Sequence, residues 1–404
     1  MYYETKIIGI SSSAIVDGFF SATAPRQSQF DSLSNKALSK GIDLYTNKDY
    51  DGAVREFKRA IALSPFGDYS DKAYEYMANA YLNQNKVSDA INTYKQMLRR
   101  NPSDDAAHLS LGNIYYKGER YREAEQEYSL AVRINPGSAR NHYTLGMTYM
   151  TTGQFSEAEN RFRKVTQLTP HDPNAYDALG QALRRLERYD DAVVQFKKAI
   201  TLDKKFSDGY LSLGCTYADM KRMDEAQQQA DLLAQIDTQK ASNLQEYIVK
   251  AADPGFSSVL SINGFPLSAG RGTRVSTLDN ALITPNSSKS FTLMFMFSKE
   301  MDASSVQNPN NWQISRATGK YLGGAYNLGL PVPSTEVPLP ATPMLIKYDE
   351  GAHMAEVTFR ISQNSFADGT IDPSHIVFRF TGKDAYGNAM DPTADEYSSI
   401  SKIV

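Results

Sequence analysis

Three observations predict an all-α helical-repeat solenoid followed by an antiparallel β-sandwich. From Asp71 to Lys240 the chain repeats itself every 34 residues. After Gly255 the apolar spacing changes from helical to alternating. Gly, Pro, Asn and Asp separate the alternating runs, as a sandwich of short strands requires.

The repeat is written in columns. Ala90, Ala124, Ala158, Ala192 and Ala226 fall in one, and twelve residues ahead of it stand Gly112, Gly146, Gly180 and Gly214, with Ala78 in the first of these copies. Four residues after the Ala column come Tyr94, Tyr128, Phe162 and Phe196, while Pro102, Pro136 and Pro170 close three copies. An earlier copy, displaced by an insertion near Asp68 to Ser70, carries Gly41, Ala53, Phe57, Ala60 and Pro65, which makes six. Gly or Ala at the eighth position and Ala at the twentieth have almost no side chain, so two helices of one copy can cross closely. Tyr50, Val87, Tyr121, Phe155, Tyr189 and Met223 share one position ahead of each second helix and are large enough to fill the gap between neighbours. One copy cannot bury its apolar face; a stack can.

This spacing of Leu-Gly, Tyr, Ala, Phe, Ala and Pro resembles the tetratricopeptide repeat, a helix-turn-helix unit of the same length. The resemblance implies that the first helix of each copy lines a concave groove for a protein partner. Carried over position by position, it places Tyr76, Asn79, Leu82, Leu109, Asn113, Tyr116, Arg140, Tyr143, Met147, Met150, Gln181, Arg184 and Arg185 there. Asn79 and Asn113 can hydrogen-bond an extended peptide backbone, and the Tyr and Met residues offer adaptable apolar contact. Members that clamp a C-terminal carboxylate use Lys at the fifth position. Here that position holds Glu75, Leu109, Tyr143 and Asp177, which argues against such a ligand.

The chain is 404 residues long, enough for two or three domains. A net charge of −3 gives no electrostatic case for nucleic acid or an anionic membrane. Cys215 is the single cysteine, which excludes an internal disulfide, and a buried packing role is expected for it over a reactive one. No run of eighteen apolar residues exists, so no membrane span is expected.

Residues 1–30 precede the repeats. Ile7 to Val16 is apolar and Ala22-Thr23-Ala24 has the form of a cleavage site, but MYYETK carries no net positive charge and Asp17 interrupts the run. The segment is instead expected to be a flexible or extended tail, able to dock on a partner or to add as a strand to a sheet edge of a neighbouring copy. The repeats occupy 31–252. Asp172 is placed to cap the helix that Pro173 opens, with Ser103 and Ser138 near the starts of two others. The fifth copy has Lys204 where others have Pro, and the sixth has Ala230 where others have an aromatic. Leu244, Tyr247, Ile248 and Ala251 then give one capping helix, stopped by Asp253-Pro254-Gly255.

In the region 253–404, Phe291, Leu293, Phe295 and Phe297 alternate with Thr292, Met294 and Met296. Similar alternation marks Trp312 and Ile314; Val357, Phe359 and Ile361; and Ile376, Phe378 and Phe380. Phe297-Ser298-Lys299-Glu300-Met301-Asp302, then Val306 and Asn311-Trp312, and finally Asp384-Ala385-Tyr386-Gly387-Asn388-Ala389-Met390 resemble the bacterial immunoglobulin-like domains of surface-layer and adhesin proteins. A segment at 319–344 with Pro331, Pro333, Pro338, Pro340 and Pro343 departs from that pattern. Its Tyr321, Tyr326, Leu328 and Leu330 suggest a docked or partner-binding loop.

Catalytic chemistry finds no constellation. No HExxH, phosphate-binding loop or Gly-x-Ser-x-Gly elbow occurs, and Gly270 to Arg274 is a turn. His108 and His142 lie at the fourth position of consecutive copies, where Tyr74, Tyr176 and Tyr210 also sit, so packing accounts for them. Asp384, Asn388 and Asp391 could approach a calcium ion, but an Asx-type turn is the simpler expectation. Neither cofactor nor metal is expected. The function expected is non-enzymatic: a self-associating assembly protein of a bacterial cell-surface or extracellular structure, with protein partners that include other copies of itself. The alternative is a cytoplasmic adaptor or secretion chaperone that holds client peptides in the groove.

Overall fold

The computed structural model describes residues 12–319 and 324–399. By their internal contacts these form two compact units, 1–216 and 217–404. The boundary falls inside the first helix of the sixth copy.

Helices come in pairs, as the period requires. The first unit contains α1 (Ser12–Thr46) with α2 (Tyr50–Leu63), α3 (Asp68–Asn83) with α4 (Val87–Arg100), and α5 (Asp105–Lys117) with α6 (Tyr121–Ile134). It continues with α7 (Ala139–Thr151) and α8 (Phe155–Leu168), then α9 (Pro173–Arg185) and α10 (Tyr189–Leu202). Helix α11 (Ser207–Asp219) spans the boundary, and α12 (Met223–Ala234) and α13 (Thr238–Ala251) belong to the second unit. Tyr50, Val87, Tyr121, Phe155, Tyr189 and Met223 are each the first residue of a second helix.

The Gly and aromatic columns explain one another. A Cβ on Gly112 would lie 2.5 Å from the Tyr128 ring, on Gly146 2.7 Å from Phe162, and on Gly180 2.5 Å from Phe196. Within each copy the ring of the second helix therefore rests on bare backbone of the first, and the Ala column beside it is fully buried. The turn joining the two helices also repeats. Lys48, Asn85, Glu119, Gly153, Glu187 and Lys221 all have φ between 57° and 76°. The following amide donates back to the carbonyl five residues earlier, as Lys86 does to Tyr81 and Arg188 to Leu183. This Schellman-type ending favours Gly, which only one of the six supplies.

Between copies, the fourth-position side chain ties down the preceding connection. His108 and His142 donate Nε2–H to the carbonyls of Pro102 (3.2 Å) and Pro136 (3.1 Å). Tyr176 and Tyr210 do the same with their hydroxyls, to Pro170 (3.2 Å) and Lys204 (3.3 Å). Asp104, Ser138 and Asp172 cap α5, α7 and α9, so the cap of α5 is Asp104 and not its neighbour Ser103. Residues 12–30 are helical, which corrects the expectation of a flexible or extended segment for that part; residues 1–11 lie outside the described residues.

In the second unit, β1 (Phe256–Ser261), β2 (Thr273–Arg274), β3 (Ser288–Phe297), β4 (Trp312–Arg316), β5 (Leu345–Asp349), β6 (Met354–Ser362), β7 (Thr370–Ile371), β8 (Ile376–Phe380) and β9 (Glu396–Tyr397) form antiparallel sheets. Their orders are β1-β3-β6-β5, β4-β8-β9 and the two-stranded β2-β7. The two larger sheets meet through aromatic rings: Phe295 is 5.1 Å from Trp312 and 5.6 Å from Phe378, and Phe297 is 5.5 Å from Phe380. Phe291, Leu293, Phe295 and Phe297 are all buried, as their alternation predicts.

The two loop motifs of the β region meet at the end of α13. Lys299 is buried, and its Nζ donates to the carbonyls of Val249 (3.1 Å), Lys250 (3.1 Å) and Ala252 (2.6 Å). A cation among the final carbonyls of a helix satisfies acceptors that have no partner within it. The same ammonium lies 2.5 Å from Asp384. Asp384 also accepts from the backbone of Tyr386 (2.9 Å) and Asn388 (2.7 Å), the expected Asx-type turn, and Lys299 stands on its other side where a calcium ion would have to bind. Burial opposes the Asp384 charge, but hydrogen bonds from Asn388 and Lys299 outweigh it and hold the pKa below the usual carboxylate value.

Within the Pro-rich segment the chain is anchored at Tyr326, Asn327 and Val337, whereas Leu328 and Leu330, expected to help dock it, are 54% and 48% exposed. Tyr326 is buried, pairs with Glu336 and accepts from the Asp372 amide (3.0 Å), while the amide of Asn327 donates to the Asp372 carboxylate (2.8 Å). Val337 is buried and donates its N–H to Thr370 (3.0 Å). Tyr321 lies outside the described residues.

Candidate functional site

The first helices α3, α5, α7 and α9 carry the groove positions. Asn79, Arg140, Tyr143, Met147, Gln181 and Arg185 are exposed, and Tyr76, Leu82, Asn113, Tyr116, Met150 and Arg184 are half-buried. Leu109 is only 4% exposed and belongs to the core, so it offers a partner no surface. Its neighbour Ser110 faces the open side instead, which residue type alone did not indicate.

These side chains gather in three places. Asn79, Leu82 and Asn113 line one cavity of about 470 Å³ together with Val87, Tyr94, Ser110, Ile114, Lys117 and Gly118. Tyr76 lines a second, of about 480 Å³, beside Tyr69, Lys72 and Glu75. Arg140 and Tyr143 line a third, of about 440 Å³, with Asp172 and Asn174. Three of the remaining residues are tied within the array: Tyr116 hydrogen-bonds Thr151 (2.7 Å), Gln181 donates to Asp177 (2.5 Å), and the Arg185 guanidinium sits 4.6 Å from the centre of the Phe155 ring, while Met147 stays exposed.

Electrostatics in the groove follow from burial. Glu75 is exposed at the surface, but partial desolvation against the groove wall raises its pKa, and the nearby carboxylates of Asp104 and Asp71 raise it further. Tyr143 is raised by burial and by Asp177 and Asp172, so it stays a neutral hydrogen-bonding ring at physiological pH. The Tyr128 hydroxyl donates to Asn113 Oδ1 (2.8 Å). That bond fixes the amide orientation and leaves the Asn113 Nδ2 hydrogens to donate elsewhere. The arrangement can accept apolar side chains and donate to carbonyl oxygens, which is binding chemistry. Among the described residues, no three or more His, Cys, Asp or Glu are grouped to hold a metal ion, and no helix is long and apolar enough to cross a membrane. Cys215 is buried.

No curated protein matches the chain. Solved structures similar to it include YrrB, described as a TPR protein with an unusual peptide-binding site, at 24% identity over 47% of this chain and 97% of that one, with a TM-score of 0.41. Pseudomonas aeruginosa pilF is 16% identical over 54% of this chain and 99% of its own, at a TM-score of 0.42. A tetratricopeptide repeat protein from Parabacteroides merdae is 16% identical over 55% and 91%, at 0.43. Family models of the tetratricopeptide repeat match residues 77–139, 115–182, 173–206 and 207–239. The stretch 77–239 is therefore an array of tetratricopeptide repeats.

Proposed function

We propose that this is a non-catalytic assembly protein whose repeat groove grips a segment of another polypeptide, and that it self-associates as a component of a bacterial cell-surface or extracellular structure. Tetratricopeptide repeats mediate protein–protein interaction and assembly. The observation that carries the reading is the first cavity, where Asn79 and Asn113 of successive copies flank an apolar floor. Donors at the rim and aliphatic carbon beneath suit an extended peptide better than a small metabolite.

The second unit supports the surface assignment, which rests on an immunoglobulin-like reading of its sandwich. The order β1-β3-β6-β5 against β4-β8-β9 corresponds to the four-plus-three strand arrangement of constant-type immunoglobulin domains. Trp312 on β4 takes the place of the buried Trp on the third strand, and the Phe295–Phe378 contact stands where antibody domains link their second and sixth strands by a disulfide.

Deleting residues 1–30 and measuring particle mass by light scattering tests self-association through the first helix; a smaller particle is expected, and an unchanged one removes that route. Fractionation of the source cells tests the location. Chain confined to the cytoplasm would put the adaptor reading in its place.

A further inference from the structure

In the first five copies, a side chain five residues before the second helix can close the gap at that helix's start. In the first and third copies both positions are Tyr. Tyr45 and Tyr50 meet edge to face at 5.5 Å, and Tyr116 and Tyr121 do so at 5.3 Å. In the second copy the pair is Leu82 and Val87, and Val87 is 46% exposed. The cavity of about 470 Å³ opens there, floored by Leu82, Val87 and Ile114, with the buried ring of Tyr94 at its side. Asn79, Asn113 and exposed Lys117 contribute its polar lining.

We infer that this opening is a socket for one large apolar side chain, best an aromatic one, of an extended peptide from a protein partner with an acidic residue close by. The socket lacks the ring that neighbouring copies supply to themselves, so an incoming ring restores the edge-to-face contact. Asn113, its carbonyl held by Tyr128, donates Nδ2–H to a backbone carbonyl of the peptide. Lys117 at the rim favours a carboxylate over a cation on the next exposed residue of the ligand. This deepens the proposed function and rests on the groove being a peptide site.

The test uses fluorescein-labelled decapeptides with Phe, Leu, Ala or Lys at one central position and Glu or Lys two residues along, titrated into the full chain by anisotropy. The Phe–Glu peptide is expected to bind most tightly, with Ala at the centre costing tenfold or more. Val87→Tyr copies the residue that three other repeats carry at this position. It is expected to weaken the Phe–Glu peptide at least tenfold while leaving the melting temperature unchanged or higher. Val87→Ala deepens the socket and is expected to widen the preference for Phe over Leu. Equal binding by Val87→Tyr and the unaltered chain overturns the socket. If Tyr143→Ser then abolishes binding, the groove reading stands without it. No binding of any of these peptides to the unaltered chain also overturns the socket, and the particle-mass measurement then judges self-association independently.

Discussion

The helical array and the β unit are each held together internally, by contacts of opposite reach. In the array the contacts lie inside one copy, as where Phe162 rests on Gly146 and Phe196 on Gly180, or between adjacent copies, as where His142 reaches Pro136. In the β unit they join distant parts of the chain. Phe295 of β3 touches Trp312 and Phe378, and Lys299 connects the end of α13 to the Asp384 loop. The difference teaches that an array can change one copy without disturbing the rest, whereas the β unit stands or falls as a whole. Two signals separate the regions. The single Trp of the chain, Trp312, is 2% exposed and reports on the β unit by fluorescence, while far-ultraviolet dichroism reports chiefly on the helices.

The sharpest break is expected from Phe295→Ala, which empties the centre of the aromatic core and costs about 3–5 kcal/mol. Trp312 fluorescence should show loss of the β unit at a temperature where helical dichroism persists; simultaneous loss of both would erase the contrast. Lys299→Met leaves Asp384 buried without its cation and costs about 3 kcal/mol. Acid should act on the same pair. Because the folded pKa of Asp384 is depressed, its stabilisation is complete above the unfolded value of about 3.8 and disappears as pH falls through the folded one, which a pH series of fluorescence melts will show.

Gly146→Val is a smaller, local break of about 1–3 kcal/mol, since the new side chain meets the Phe162 ring. Dichroism melts should detect it while the Trp312 transition stays in place. Glu187→Gly should go the other way and stabilise the array by about 0.5 kcal/mol, because φ there is 60° and Gly adopts it without strain. The smallest effect concerns His142. Burial, with Arg161 and Lys164 close by, lowers its pKa below 6.5, so stability falls as pH drops from about 6.5 toward the folded value. His142→Tyr keeps a donor for the Pro136 carbonyl, as Tyr176 does for Pro170, and should flatten that acid slope in urea titrations at pH 5 and pH 7.

Columns made the array legible. Every second helix begins at the residue that the period marks, because small and large side chains alternate in a register only paired helices can use. Both partners of the Gly–aromatic contact were visible, though the pairing itself needed coordinates. The left-handed turn was hidden, since Lys48, Glu119, Glu187 and Lys221 occupy a position usually betrayed by Gly. Residue type also misplaced Leu109, whose fifth-position neighbours Glu75 and Tyr143 are exposed. In the β unit the alternating strands could be read, but not the partnership of Lys299 with Asp384, because nothing local requires that two loops so far apart in the chain meet.

The first residue of each second helix is a door that opens or shuts without touching the hinge. The Ala and ring columns that hold a copy together lie elsewhere, so one codon at Val87, or at Tyr50, Tyr121, Phe155 or Tyr189, can change the surface beside that turn. On the proposed peptide reading, an array so constructed would acquire new partners by single steps, each copy bearing its own letter of the address.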